Sequence, residues 1–82
     1  MTRQQRLSEG NLTNVQYRDF VRLVEAFGFA LARVSGGHQI FNHPDVAELI
    51  NLQNVSGQAK PYQIRQFLRL AERYNLQLED DR

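Results

Sequence analysis

Apolar residues recur along the chain with two different periods, and each period predicts a type of secondary structure. Between Tyr17 and Phe27 they recur every three or four residues, which is the spacing of one face of an amphipathic helix. Thr13 and Gln16 have the spacing of a capping box ahead of this helix, and Gly28 is suited to end it in a left-handed conformation. We therefore predict a first helix between Thr13 and Gly28.

The period shortens to two after this helix, which predicts strands. In the first of them, strict alternation places Leu31 and Arg33 on the same face. Turn-forming residues at 35–37 connect it to a second extended run over 38–43, and residues 48–52 provide a third short strand. Strands joined by such short turns favour an antiparallel sheet.

A second amphipathic helix follows the polar connection over residues 53–60. Pro61 suits its first turn, where an amide proton would have no partner inside the helix. Asn75 is a candidate for its C-terminal cap. The apolar stripe of this helix consists of Ile64, Phe67, Leu68 and Ala71, and a more exposed row consists of Arg65, Arg69 and Arg73.

The order helix, strand, strand, strand, helix predicts an α+β fold of the type α-β-β-β-α. In such a fold, two amphipathic helices pack on one face of a three-stranded antiparallel sheet. A length of 82 residues accommodates a single domain with one modest core. We predict a flexible N-terminal arm over 1–12, the domain itself over 13–78 and an acidic C-terminal tail over 79–82.

The composition excludes several classes of chemistry. Because the chain has no cysteine, it has neither a disulfide framework nor a thiol nucleophile. It has no stretch approaching the roughly 20 apolar residues of a membrane-spanning helix, so we expect no membrane association and a cytoplasmic location. The net charge is +1, but it is +3 without the acidic tail, and nine of the ten basic residues are arginine, which binds phosphate well.

Two histidines are the candidates for chemistry, because phosphate-binding loops and close carboxylate pairs are absent from the sequence. His38 and His43 are five residues apart on one strand, which places them on opposite faces and about 17 Å apart, too far to share a metal. His38 directly follows Gly36 and Gly37, where a phosphate could approach the backbone closely, so it is a candidate base. The alternative for His38 is a strand-edge histidine bonded to the turn, and for His43 a polar residue facing a turn.

The run from Tyr17 to Leu76 resembles the HicA toxins of HicA and HicB toxin-antitoxin pairs. The similarity rests on FVRLVEAFGFALARVSGGHQIFNHP and on KPYQIRQFLRLA, which opens the second helix. It implies a double-stranded-RNA-binding-like fold, an mRNA interferase activity, and a HicB-type antitoxin that covers the histidine of the turn. His38 occupies the position of the family's essential histidine, whereas Gly37 replaces the usual serine or threonine before it.

RNA cleavage of this kind requires little from a protein, because the 2′-hydroxyl of RNA is itself the nucleophile. The resemblance therefore implies an endoribonuclease that needs no metal or cofactor, with His38 as general base or as acid on the leaving oxygen. Arg33 is the candidate for stabilising phosphate charge, and Gly37 and Lys60 are further candidates for substrate binding. A solvated strand residue is the alternative for Arg33. The arginine row could contact RNA phosphates along the helix, but a solvated helix face is its favoured interpretation.

Two other functions fit the same sequence. The domain could be a non-catalytic RNA-binding module in which His38 contributes only a hydrogen bond. It could also be chiefly a protein-interaction domain, since a toxin neutralised by an antitoxin resides mostly in a hetero-oligomer. Loss of RNA cleavage in a His38→Ala variant that still binds RNA distinguishes the enzyme from both.

Overall fold

The computed structural model describes residues 12–79 and has the element order that the sequence predicts. The three strands form one antiparallel sheet in the order β1-β2-β3. The predicted α-β-β-β-α architecture is therefore confirmed. Its elements are α1 (Tyr17–Ala26), β1 (Ala30–Ser35), β2 (His38–His43), β3 (Val46–Gln53) and α2 (Pro61–Arg73).

The two ends of the chain lie largely outside the described residues. The predicted arm is represented only by Leu12, which is buried in the core at 2% exposure. The predicted acidic tail is represented only by Glu79, whose backbone N–H donates to the carbonyl of Ala26 at 2.6 Å. Neither helix within residues 12–79 is long and apolar enough to cross a membrane.

The hydrophobic core lies between the helices and one face of the sheet. We call this the covered face; its central residues Phe41, Ile50 and Leu52 are in the same buried cluster as the apolar sides of α1 and α2. Phe67 of α2 is central to the cluster. Its ring lies edge-on to those of Phe20, Phe27 and Phe29, at centroid distances of 5.8, 5.4 and 5.7 Å.

Both helices end as predicted, in left-handed residues. Gly28 has φ +100°, and its N–H donates to the carbonyl of Glu25 at 2.9 Å. Asn75 has φ 55° and donates in the same way to Glu72 at 3.1 Å. In both cases the next residue donates to the carbonyl five residues back, which completes a Schellman motif.

The predicted capping box is wrong. Helix α1 begins at Tyr17, so Gln16 is itself the capping residue, and its side chain makes no capping hydrogen bond. Tertiary contacts replace the local cap, because the N–H of Tyr17 donates to the carbonyl of Gly57 at 2.9 Å. Thr13 lies in a turn, and the following Asn14 has φ 65°, which interrupts helical geometry between Thr13 and the helix.

Strict alternation in β1 is also wrong, because the strand contains a β-bulge. Leu31 pairs with Phe41, but Arg33 pairs with Ile40, so one extra residue is inserted between them. Paired residues project from the same face of an antiparallel sheet. Leu31 therefore lies on the side of Phe41, and Arg33 lies on the opposite side.

Candidate active site on the open face of the sheet

The second face of the sheet carries the side chains of the predicted site, and we call it the open face. Its members follow from the strand register, since each projects opposite to Phe41, Ile50 and Leu52. Two rows cross the three strands on this face. The first consists of Arg33, Ile40 and Asn51. The second, two pairs nearer the β1–β2 turn, consists of Ser35, His38 and Gln53.

His38 is half-buried at the start of β2, and its imidazole is held by Asn51 of the neighbouring strand. Nδ1 of His38 lies 2.8 Å from Oδ1 of Asn51. An amide oxygen only accepts hydrogen bonds, so Nδ1 carries the proton and donates it. In a neutral imidazole with that tautomer, Nε2 has a free lone pair and can accept a proton.

His43 lies on the covered face, as the spacing of five residues predicts. It is 8% exposed, and its ring packs edge-on against Phe29 with centroids 4.9 Å apart. Its Nδ1 accepts a hydrogen bond from the backbone N–H of Asp45 at 2.9 Å, across the β2–β3 turn. His43 is therefore a packed residue that holds a turn, close to the alternative that the sequence favours for it.

Arg33 shares the open face with His38 because residues 33–35 pair with residues 38–40 in regular register, on the turn side of the β-bulge. It is directly opposite Ile40, which makes it a diagonal neighbour of His38, at the roughly 7–8 Å separation typical of such pairs. Its side chain is exposed. A guanidinium in this position can reach an anion held beside the imidazole.

The β1–β2 turn brings Gly37 next to His38. Ser35 pairs with His38, so the turn has two central residues, Gly36 and Gly37. Gly36 has φ +63°, as the first central position of a type II′ turn requires, whereas a Cβ on Gly37 would meet nothing within 4 Å. The turn therefore leaves backbone beside the imidazole unobstructed.

Lys60 is the predicted site residue that does not join the others. It caps the start of α2, in the helical layer behind the covered face, and its Nζ lies 5.6 Å from the ring centroid of Tyr62. Three of the four predicted residues, His38, Arg33 and Gly37, are thus together on or beside the open face. The fourth extends from the opposite layer.

Asn51 and Gln63 are the residues of this site that the sequence analysis missed. Gln63 of α2 is 8% exposed, and its side chain donates to the carbonyl of Asn51 at 3.1 Å and accepts from the N–H of Gln53 at 3.3 Å. It therefore holds the edge of β3 where Asn51 meets His38. A signal was available for Gln63, since it lies four residues before Phe67 on the apolar side of the helix.

The covered face supports β2 directly beneath the histidine. The hydroxyl of Tyr17 donates to the side-chain oxygen of Gln39, the residue after His38. Burial raises the pKa of Tyr17 above its usual value, so this hydroxyl keeps its proton at neutral pH. Within residues 12–79, no group of three histidine or carboxylate side chains is arranged to hold a metal ion.

Fold and site together define a small α-β-β-β-α domain that presents one histidine on the sheet face opposite to α1 and α2. The family model described as the HicA toxin of bacterial toxin-antitoxin systems matches residues 17–72, which include every strand, all of α1 and all but the last residue of α2. The chain therefore belongs to the HicA toxin family. It is the toxin component of such a system, and the family implies an antitoxin partner. No curated protein and no solved structure showed a significant match to the chain.

Proposed function

We propose that this toxin is an endoribonuclease that cleaves mRNA in the cytoplasm, with His38 as its catalytic residue. The observation that carries the proposal is the 2.8 Å contact between Nδ1 of His38 and Oδ1 of Asn51 on the open face. This contact selects the tautomer whose free Nε2 can accept a proton. Family membership supports the toxin role within which such an activity makes sense.

The reaction uses the 2′-hydroxyl of RNA as nucleophile. Nε2 of His38 removes the proton of that hydroxyl while its oxygen forms a bond to the adjacent phosphorus. The bond from phosphorus to the 5′-oxygen of the next nucleotide breaks, and that oxygen takes a proton from water. The imidazolium of His38 then returns its proton to the hydroxide that remains. The products are a 2′,3′-cyclic phosphate and a free 5′-hydroxyl. Positioned proton transfer of this kind contributes roughly 10² to 10⁴-fold to a rate.

Arg33 and the β1–β2 turn supply the two other requirements of the reaction, which are charge stabilisation and room for the phosphate. The phosphorus gains negative charge in the transition state, and a guanidinium on the same face as the imidazole stabilises it. The phosphate approaches over Gly37, where no side chain obstructs the backbone. Lys60 has a more distant role, in binding RNA outside the reacting centre, because it belongs to the helical layer.

A HicB-type antitoxin neutralises the protein in this proposal by covering the open face. The exposed side chains of Arg33 and Asn51 and the half-buried His38 are all accessible from that side. Leu49 of β3 follows the same alternation as Asn51 and is 56% exposed, which provides apolar area next to the polar site. The resting form is then a hetero-oligomer of toxin and antitoxin.

The test compares the wild-type protein with a His38→Ala variant, purified identically and free of antitoxin. We expect wild-type protein to convert a labelled transcript into fragments with cyclic phosphate ends. The variant should lose at least about 10²-fold in rate while it keeps its affinity for RNA and its unfolding midpoint. Equal cleavage by both proteins would rule out His38. RNA binding without any product would favour a non-catalytic module, and no affinity for RNA even at low salt would favour a protein-interaction domain.

A further inference from the structure

A groove runs along the outer edge of β3, on the side away from β2. It has a volume of 470 Å³ and lies between residues 48–52 of β3 and the side of α2 that carries Gln63, Gln66, Arg69 and Arg73. We call it the β3–α2 groove. Asn51 lines it and also bonds to His38, so the groove begins at the residue that holds the proposed catalytic imidazole.

The edge of β3 at this end of the groove is already occupied. The side-chain amide of Gln63 bonds the carbonyl of Asn51 and the N–H of Gln53, which are outward-facing backbone groups of an edge strand. An extended peptide that joined the sheet here would need the same two groups. The groove beside His38 therefore favours a ligand that does not bind as an added β-strand.

The charges of the groove favour an anion. Arg73 lies 3.2 Å from the carboxylate of Glu48. That carboxylate also accepts a hydrogen bond from the hydroxyl of Tyr74 at 2.7 Å. The one acidic group lining the groove is thus engaged, at the end away from Asn51. Arg69, one turn before Arg73, is exposed and forms no ion pair with any residue in the range 12–79.

We infer that the β3–α2 groove binds the sugar-phosphate backbone of the RNA strand next to the cleavage site, with Arg69 contacting a phosphate. This inference rests on the proposed function and adds to it the surface that binds the RNA next to the cleavage site. Arg69 is six residues after Gln63, or about 9 Å along the helix axis. A strand stacked at about 3.4 Å per nucleotide covers that distance in about three steps. The groove thus recognises RNA beyond the dinucleotide that reacts.

Two variants of the same helix test the inference. Arg69→Gln removes the groove arginine that forms no ion pair with residues 12–79, and Arg65→Gln is the matched control, because Arg65 is also exposed on α2 but does not line the groove. Glutamine keeps the helix propensity, so both variants should unfold at the wild-type midpoint. Both are made in wild-type protein for cleavage and in His38→Ala protein for binding, so that the RNA stays intact.

Binding is measured with a labelled single-stranded RNA of twelve nucleotides at several salt concentrations. Affinity falls as salt rises, so the plot of log affinity against log salt has a negative slope. Loss of one phosphate contact makes this slope less negative by about 0.7. We expect this change, with an affinity loss of about tenfold at low salt, for Arg69→Gln and not for Arg65→Gln. Cleavage is measured on a dinucleotide and on longer oligonucleotides in which only the nucleotide at the cleavage site has a 2′-hydroxyl. Arg69→Gln should lose the gain in kcat/KM with length and keep the wild-type rate on the dinucleotide.

The outcomes separate the groove from the catalytic proposal. If cleavage depends on His38 but Arg69→Gln and Arg65→Gln behave alike on long RNA, the groove assignment is wrong and the proposed function stands. If wild-type protein neither binds nor cleaves RNA, both fail. If Arg69→Gln keeps its RNA affinity but loses its antitoxin, the groove is a protein-binding surface and the inference is overturned.

Discussion

The covered and open faces of the sheet are built from alternate residues of the same strands, yet they carry different side chains at their centres. On the covered face, Phe41 and Leu52 are each 1% exposed and pack against both helices. On the open face, Arg33 and Asn51 are exposed, and Ile40 between them is 7% exposed but is not part of that core cluster. The covered face thus contributes most of the core, and the open face carries the candidate site.

The two histidines show the same contrast within one strand. His43 uses Nδ1 to accept a backbone hydrogen bond and packs its ring on Phe29. Nδ1 of His38 lies within hydrogen-bond distance of the Asn51 side chain instead, on the sheet face opposite to α1 and α2. Residue type therefore does not distinguish a structural histidine from a candidate catalytic one. The two histidines are distinguished by the hydrogen-bond partner of Nδ1 and by the face of the sheet on which each lies.

The largest effect we expect comes from emptying the covered face. Phe41→Ala removes a fully buried aromatic ring and leaves a cavity, which should lower the free energy of unfolding by about 3–5 kcal/mol. The control is Leu49→Ala on the open face, at a side chain that is 56% exposed, for which we expect less than about 1 kcal/mol. Urea unfolding followed by circular dichroism measures both. Equal losses of unfolding free energy in the two variants would mean that the covered face does not contribute more to stability than the open face.

The next effect concerns the rate of RNA cleavage rather than stability. Asn51→Leu removes the acceptor that orients His38, and a misplaced catalytic group costs about 10²-fold in rate. Asn51→Asp keeps an acceptor but adds a negative charge that favours the imidazolium form. The acidic limb of its pH–rate profile should therefore move to higher pH, a change that a purely structural role of Asn51 would not produce. An unmoved profile with a normal rate in both variants contradicts the positioning role.

A third prediction tests the structural histidine. His43→Ala loses the edge-on contact with Phe29 and leaves the N–H of Asp45 without its partner. Together these losses should lower the free energy of unfolding by about 2 kcal/mol. Where the variant is still folded, its rate of RNA cleavage should equal that of the wild type. A variant of unchanged stability but impaired cleavage would move His43 into the active site.

The smallest effect separates the two glycines of the β1–β2 turn. Gly36→Ala forces a side chain into φ +63° and should cost about 1 kcal/mol. Gly37→Ala has neither a positive φ nor a neighbour within 4 Å, so it should be nearly neutral for stability. Paired thermal unfolding curves measure the difference. Equal destabilisation by the two substitutions would mean that the turn has a different geometry.

Much of this site was predictable from local patterns. The glycine pair predicts the turn that precedes His38, and the five-residue spacing separates His38 from His43. Alternation with Ile50 and Leu52 places Asn51 away from the core. That Asn51 meets His38 was not predictable, because the contact depends on the register between two strands, and each residue has several possible partners.

The sequence by itself determined the order of the elements, the ends of both helices and the residues that form the core, because periodicity and left-handed caps are local properties. Tertiary structure decided that Leu31 and Arg33 lie on opposite faces and how α1 begins. A β-bulge reverses every side chain that follows it, and Tyr17 obtains its N-terminal hydrogen bond from Gly57, forty residues later. Such choices depend on the summed packing of distant segments, and no local window of the sequence contains that sum.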